Sequence, residues 1–228
     1  CLGAAGCSSL PWSNTENANP PIGSTAASKQ AATARPAAPA ASQPQAASDA
    51  EVVVTPAAQK AFDDARRAMR AGRMDEAERG FKSVVQFHPE LGGPHANLGV
   101  IYRQANKLPQ SATELELAVK ASPRQPLYFN QLGITYRQQG QFTKAREAYE
   151  RALELDPNYA AATLNLAILA DLYLWDSKRA LELYDRYLAL TPAGDANVTK
   201  WVADLKNRTK AAAAATAPAA TPARKEKE

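Results

Sequence analysis

Between residues 55 and 209 the apolar side chains fall three and four places apart, the period of a helix with one buried face. Phe129, Leu132, Gly133 and Tyr136 stand at i, i+3, i+4 and i+7, and a polar stretch containing Gly140 then breaks the run. A second run follows with Ala145, Tyr149 and Ala152, and Pro157 closes it, since proline disfavours helix at the residue before it. The same phrase occurs upstream: Leu-Gly-x-x-Tyr-Arg-Gln begins at Leu98 and again at Leu132, 34 residues later. Alignment on that phrase divides the chain into copies at about 58–91, 92–125, 126–159 and 160–193. The fourth copy is shifted by one residue, which places an extra residue in the turn around "LYLWDSK". Beyond it Val198, Trp201, Val202 and Leu205 again keep the i, i+3, i+4, i+7 spacing, behind Asp195 as a helix cap. At the front, Thr55-Pro56 reads as a cap and first helical turn. The pattern predicts nine helices and no strands.

A duplication at this interval has a physical reason. One helix pair cannot hide its own apolar stripe, whereas stacked pairs cover each other. Gly99 and Gly133 let a paired helix approach closely, and small and large residues such as Ala145, Tyr149 and Ala152 interlock across the gap. Residues 126–159 closely resemble a tetratricopeptide repeat, with Phe129, Leu132, Gly133, Tyr136, Ala145, Tyr149, Ala152 and Pro157 at its signature places. Copy two keeps Leu98, Gly99, Tyr102, Leu115, Ala118 and Pro123, while copies one and four are more diverged. The resemblance implies an all-α fold, a right-handed α-solenoid of about four helix hairpins, with 195–209 as a capping helix. It also implies a concave face lined by the first helix of each hairpin, where a peptide or helix of a protein partner binds. Carried onto this chain, that face takes Gln59, Phe62, Arg66 and Met69, then Asn97, Val100 and Arg103. It continues with Asn130, Ile134 and Arg137, then Leu164, Ile168 and Asp171. Asn amides can satisfy a peptide backbone and Arg forks can hold carboxylates. The clamp by which some members hold chaperone tails is not supported, because Phe62, Arg66, Asn97, Leu127 and Gln131 occupy its positions.

Composition changes outside this region. Residues 1–54 are rich in Ala, Pro, Ser and Gln, and 210–228 in Ala and charge, so both are expected to stay disordered for want of apolar surface. The two cysteines, Cys1 and Cys7, lie in the first of these stretches. Cys1 ahead of a polar linker resembles a mature bacterial lipoprotein; Cys7, after Ala4-Ala5-Gly6, is the alternative acylation site. That resemblance implies membrane attachment by several acyl chains at the periplasmic face of the outer membrane, Leu2 or Ser8 standing where an inner-membrane signal would place Asp. A tether of this length has an r.m.s. reach of roughly 40 Å.

Charge and chemistry narrow the function. Residues 55–209 carry 21 Lys/Arg against 18 Asp/Glu, interspersed as on solvated helices, so no nucleic-acid partner is expected. No phosphate loop, Cys-x-x-Cys or His-Glu-x-x-His occurs, and His88 and His95, flanking a Pro-Glu-Leu-Gly-Gly-Pro turn, make a poor metal site. No catalytic residue, metal, cofactor or small-molecule substrate is therefore expected. The reading is a non-enzymatic, lipid-anchored platform for protein partners, similar in architecture to pilotins and other assembly factors of pili and secretion systems. The alternatives are an adaptor of peptidoglycan enzymes or a structural subunit of a large envelope complex.

Overall fold

The computed structural model describes residues 54–216, and Cys1, Cys7, the 1–53 part of the tether and residues 217–228 lie outside it. The described residues form α-helices without a strand among them. They group into two compact units divided between Arg124 and Gln125.

In the first unit, α1 (Pro56–Arg70) pairs with α2 (Met74–Phe87), α3 (Gly92–Gln104) pairs with α4 (Leu108–Ala121), and α2 packs on α3. Thr55 starts α1 by accepting the Ala58 amide on its hydroxyl, with Pro56 in the first turn. The core runs from Phe62, Ala65 and Met69 through Phe81 and Val84 to Leu98, Ile101 and Tyr102. Phe62 and Phe81 meet with ring centroids 5.6 Å apart, tilted at 59°. The turn expected between His88 and His95 is shorter than its sequence indicates, because Gly92, Gly93 and Pro94 already belong to α3. His95 is buried there, with Nδ1 2.7 Å from a Glu114 carboxylate oxygen and Nε2 3.1 Å from the Pro89 carbonyl. It ties the loop before α3 to α4, a structural role.

In the second unit, α5 (Pro126–Gln138) pairs with α6 (Phe142–Leu155) and α7 (Ala160–Leu172) with α8 (Ser177–Leu190); α6 packs on α7, and α8 on α9 (Ala196–Thr216). Its core joins Ile134, Tyr149, Leu166, Ile168, Leu169, Leu183 and Tyr184 to Val198, Val202 and Leu205 of α9. Asp195 caps α9 by accepting the amides of Asn197 and Val198. The helix continues to Thr216, seven residues past the expected end at 209, so 210–216 are helical where a tail was expected. The added stretch is Lys210 followed by five alanines and Thr216, and alanine is the strongest helix former.

Each hairpin turns on one residue with left-handed backbone: Gly72 (φ 74°), Asn106 (φ 56°), Gly140 (φ 74°) and Trp175 (φ 57°). In the first three turns the next amide reaches back into the helix just ended. Arg73 N donates to Ala68 O at 2.9 Å, Lys107 N to Tyr102 O at 2.8 Å and Gln141 N to Tyr136 O at 2.9 Å. In the fourth, where the chain carries its extra residue, Asp176 N donates to Ala170 O at 2.9 Å.

Candidate partner-binding surface

The first helix of each hairpin presents one face to its own partner helix, and the 34-residue register decides which side chains share a face. Ala65, Gly99, Gly133 and Ala167 share the register of closest approach. A Cβ on Gly99 would meet Leu115 Cγ at 2.5 Å, and one on Gly133 would meet Tyr149 Cε1 at 2.5 Å. Leu132, Tyr136, Ala145, Ala152 and Pro157 complete the third hairpin around that contact. Ala145 and Ala152 are fully buried, and Tyr136 lies under Lys144 Nζ, 5.3 Å from its ring centroid.

The residues assigned to the inward face are placed as follows. In the first unit Phe62 and Met69 are core side chains, Val100 packs against that core half-buried, and Arg66 lies with its guanidinium 5.7 Å from the Phe62 ring centroid. Arg66 also stands 3.6 Å from Asp63, and Gln59 donates to the same Asp63 carboxylate at 2.8 Å. Asn97 is buried and donates to the Gly93 carbonyl at 2.8 Å, and Arg103 is buried as well. In the second unit Ile134, Leu164 and Ile168 belong to the core, and Arg137 is buried. Asn130 accepts from the Asn165 amide at 3.0 Å and donates to the Tyr159 hydroxyl at 3.4 Å. Asp171, 5% exposed, accepts from Tyr184 Oη at 3.4 Å and from Arg208 Nη2 at 3.0 Å.

Two features escape a reading of single helices. Asn97 shares its register with Gln131 and Asn165, at intervals of 34, while Asn130 and Leu164 share that of Ala96. Asn97, Gln131 and Asn165 thus hold one place in successive copies and are each buried, a recurrence that strict spacing finds. Arg208 was not singled out because nothing in its own helix marks it as the partner of a residue 37 places earlier.

Burial sets the electrostatics. Desolvation pushes the Tyr128 phenol up to about 12, and raises Tyr184 further, with Asp171 adding to the effect. Desolvation also raises Tyr102, while Glu78 is held below the usual carboxylate range, first by its hydrogen bond from Lys82. Among the described residues no group of three His, Cys, Asp or Glu side chains is disposed to hold a metal ion. Some of the polar side chains pair within their own helix, as Asn97 and Gln59 do, and others link helices, as Asn130–Asn165 and Asp171–Arg208 do.

The hairpin geometry, the small-to-large interlock and the helix-ending turns are those of stacked antiparallel helix hairpins. Residues 126–159 match the family model described as Tetratricopeptide repeat. Among curated proteins, the anaphase-promoting complex subunit CDC16 of Saccharomyces cerevisiae is 30% identical over 91 residues, 38% of this chain and 11% of that protein. The chain spans between 11% and 34% of the length of three curated relatives that it matches. Among solved structures, Pseudomonas aeruginosa pilF superposes with a TM-score of 0.62 at 18% identity, covering 68% of this chain and 70% of pilF. MamA from Desulfovibrio magneticus RS-1 gives a TM-score of 0.62 at 16% identity, covering 69% of this chain and 88% of that one. These structural likenesses establish the fold.

Proposed function

We propose that this chain is a non-enzymatic scaffold of the bacterial cell envelope, held at the periplasmic face of the outer membrane by acyl chains on Cys1, or on Cys7. There it assists assembly of a pilus- or secretion-type complex. The observation that carries the scaffold reading is the repeated hairpin with its interlocked small and large residues, since that arrangement spends its polar groups on packing and leaves helix faces for a partner. The envelope reading is supported by a cysteine ahead of a long Ala/Pro/Ser/Gln-rich linker. The assembly role is supported, at the level of fold, by the likeness to pilF.

The test places a photoreactive residue at Val100 or Arg66, both half-buried on first helices, with exposed Gln86 on α2 as control, and cross-links in intact cells. Capture of a pore-forming or pilus-assembly protein from Val100 and Arg66 is the expected result, together with fewer assembled pores when the gene is deleted. Capture of cell-wall hydrolases instead, with pore assembly unchanged, sinks the assembly role. Mass spectrometry of the native N-terminal peptide decides between Cys1 and Cys7, and an unacylated peptide removes the anchor.

A further inference from the structure

Trp175 occupies the left-handed place of the fourth hairpin turn, the place that Gly72, Asn106 and Gly140 hold in the others. Glycine and asparagine suit that backbone, whereas a bulky side chain is disfavoured there. It is also 79% exposed, with no core contact to justify it. A large aromatic residue that is locally disfavoured and gains nothing from burial marks a place where another requirement prevailed. Leu172 beside it is also exposed, while Tyr173 and Leu174 are half-buried, and Tyr173 meets Phe142 with ring centroids 4.8 Å apart.

The Tyr173–Phe142 contact brings the start of α6 to the end of α7, and the Arg208–Asp171 bond brings α9 to the same end of the second unit. At that end the first turns of α6 and α8 carry no acidic residue but hold Lys144, Lys178 and Arg179. Along α9, Arg208 and Lys210 are exposed. The carboxylates in the same turns are Asp171, buried under Arg208, and Asp176, which caps α8 by accepting the Arg179 amide. One turn further along, Glu182 answers Arg179 at 3.4 Å on α8, while Glu147 on α6 and Asp204 on α9 stand beside the further cations Arg146 and Lys206, which leaves seven cations against five carboxylates at this end. An exposed tryptophan, flanking leucine and a surplus of cations form the combination that partitions into the headgroup region of an anionic bilayer.

We infer that the Trp175 end of the second unit docks on an anionic lipid surface, with the indole in the headgroup region and Lys144, Lys178 and Lys210 over lipid phosphates. This contact is separate from the acyl anchor, and it is tested on chain that carries no acyl group. The full chain with Trp12→Phe, which removes a tryptophan outside the described residues, is sedimented with vesicles of phosphatidylcholine, with or without phosphatidylglycerol. The expected result is binding to the anionic vesicles alone, weakening as salt rises. Lys178→Glu with Lys210→Glu should lower the partition coefficient roughly fivefold or more for each charge reversed.

Trp175→Gly is the decisive variant, because it restores the residue type of the other turns. It should fold at least as stably as the parent and still lose vesicle binding. Equal binding to neutral vesicles, or binding unchanged by Trp175→Gly, overturns the assignment. So does Trp175-dependent self-association without lipid, which would make the patch a contact between copies of the chain.

Discussion

Gly133 is where repeat sequence and packing meet most directly. Its absent Cβ leaves room for the Tyr149 ring, whose Cε1 and Cδ1 would lie 2.5 and 2.6 Å from an added methyl. Tyr149 is fully buried, so the ring has no open space to retreat into. Gly133→Ala should therefore lower unfolding free energy by about 1–3 kcal/mol, read as a drop in urea midpoint at unchanged slope. Gly140→Ala provides the contrast: nothing lies within 4 Å of its added Cβ, so the whole penalty comes from φ 74°. That penalty is about 1–2 kcal/mol. Pairing each variant with Tyr149→Leu separates the causes, since the smaller partner should rescue Gly133→Ala and leave Gly140→Ala as it was. A Gly133→Ala protein as stable as its parent would contradict the interlock. The interlock was legible in the sequence, because Leu-Gly-x-x-Tyr repeats at a fixed interval. The Asn130–Asn165 hydrogen bond was not, because the two residues are 35 apart, off the 34-residue register, and their pairing depends on how two helices cross. Nor does a sequence alone show that the Trp at the fourth turn points outward.

At the scale of elements, α9 completes the second unit. Val198, Val202 and Leu205 are buried in its core, and their removal would uncover Leu183 and Tyr184 of α8. Ending the chain at Gly194 should cost several kcal/mol, at about 1.5–3 kcal/mol per fully buried aliphatic side chain, and should produce dye-binding apolar surface. Ending it at Thr209 should change the melting temperature little, because Lys210 and Ala211–Ala213 are exposed. The two truncations together distinguish the covering part of α9 from its alanine extension. Arg208→Ala tests the polar link: its side chain is 54% exposed, so the loss should be only about 1 kcal/mol despite the burial of Asp171. A loss of 3 kcal/mol or more would mean that Tyr184 alone cannot satisfy that carboxylate. The existence of α9 was readable from its four-residue apolar stripe and from Asp195. Its length was not, because an alanine run has the composition of a linker as well as the propensity of a helix.

At the scale of the whole molecule, the buried phenols set how the protein meets high pH. The chain has eight tyrosines, among them Tyr128 and Tyr184 in the second unit, strongly raised by desolvation, and Tyr102 in the first, shifted less. An unfolded tyrosine loses its proton near 10, whereas folded Tyr128 holds it to about 12. Above pH ~10 the unfolded chain therefore binds fewer protons than the native one, and stability falls as pH rises. The contribution of Tyr128 is fully present below the unfolded value and is lost between about 10 and about 12, a span worth roughly 3 kcal/mol. Tyr184 is shifted in the same direction and adds to the loss over the same rise. Urea midpoints measured through this range should decline, while tyrosinate absorbance should show some phenols ionising only as helix content is lost. Hydrogen exchange in the same buffers should find the amides of α5 to α8 opening before those of α1 to α4, because the strongly desolvated phenols sit in the second unit. If all the phenols ionised together near 10 with the helices intact, the close packing around Tyr128 and Tyr184 would be wrong. The account of the second unit's core would fall with it.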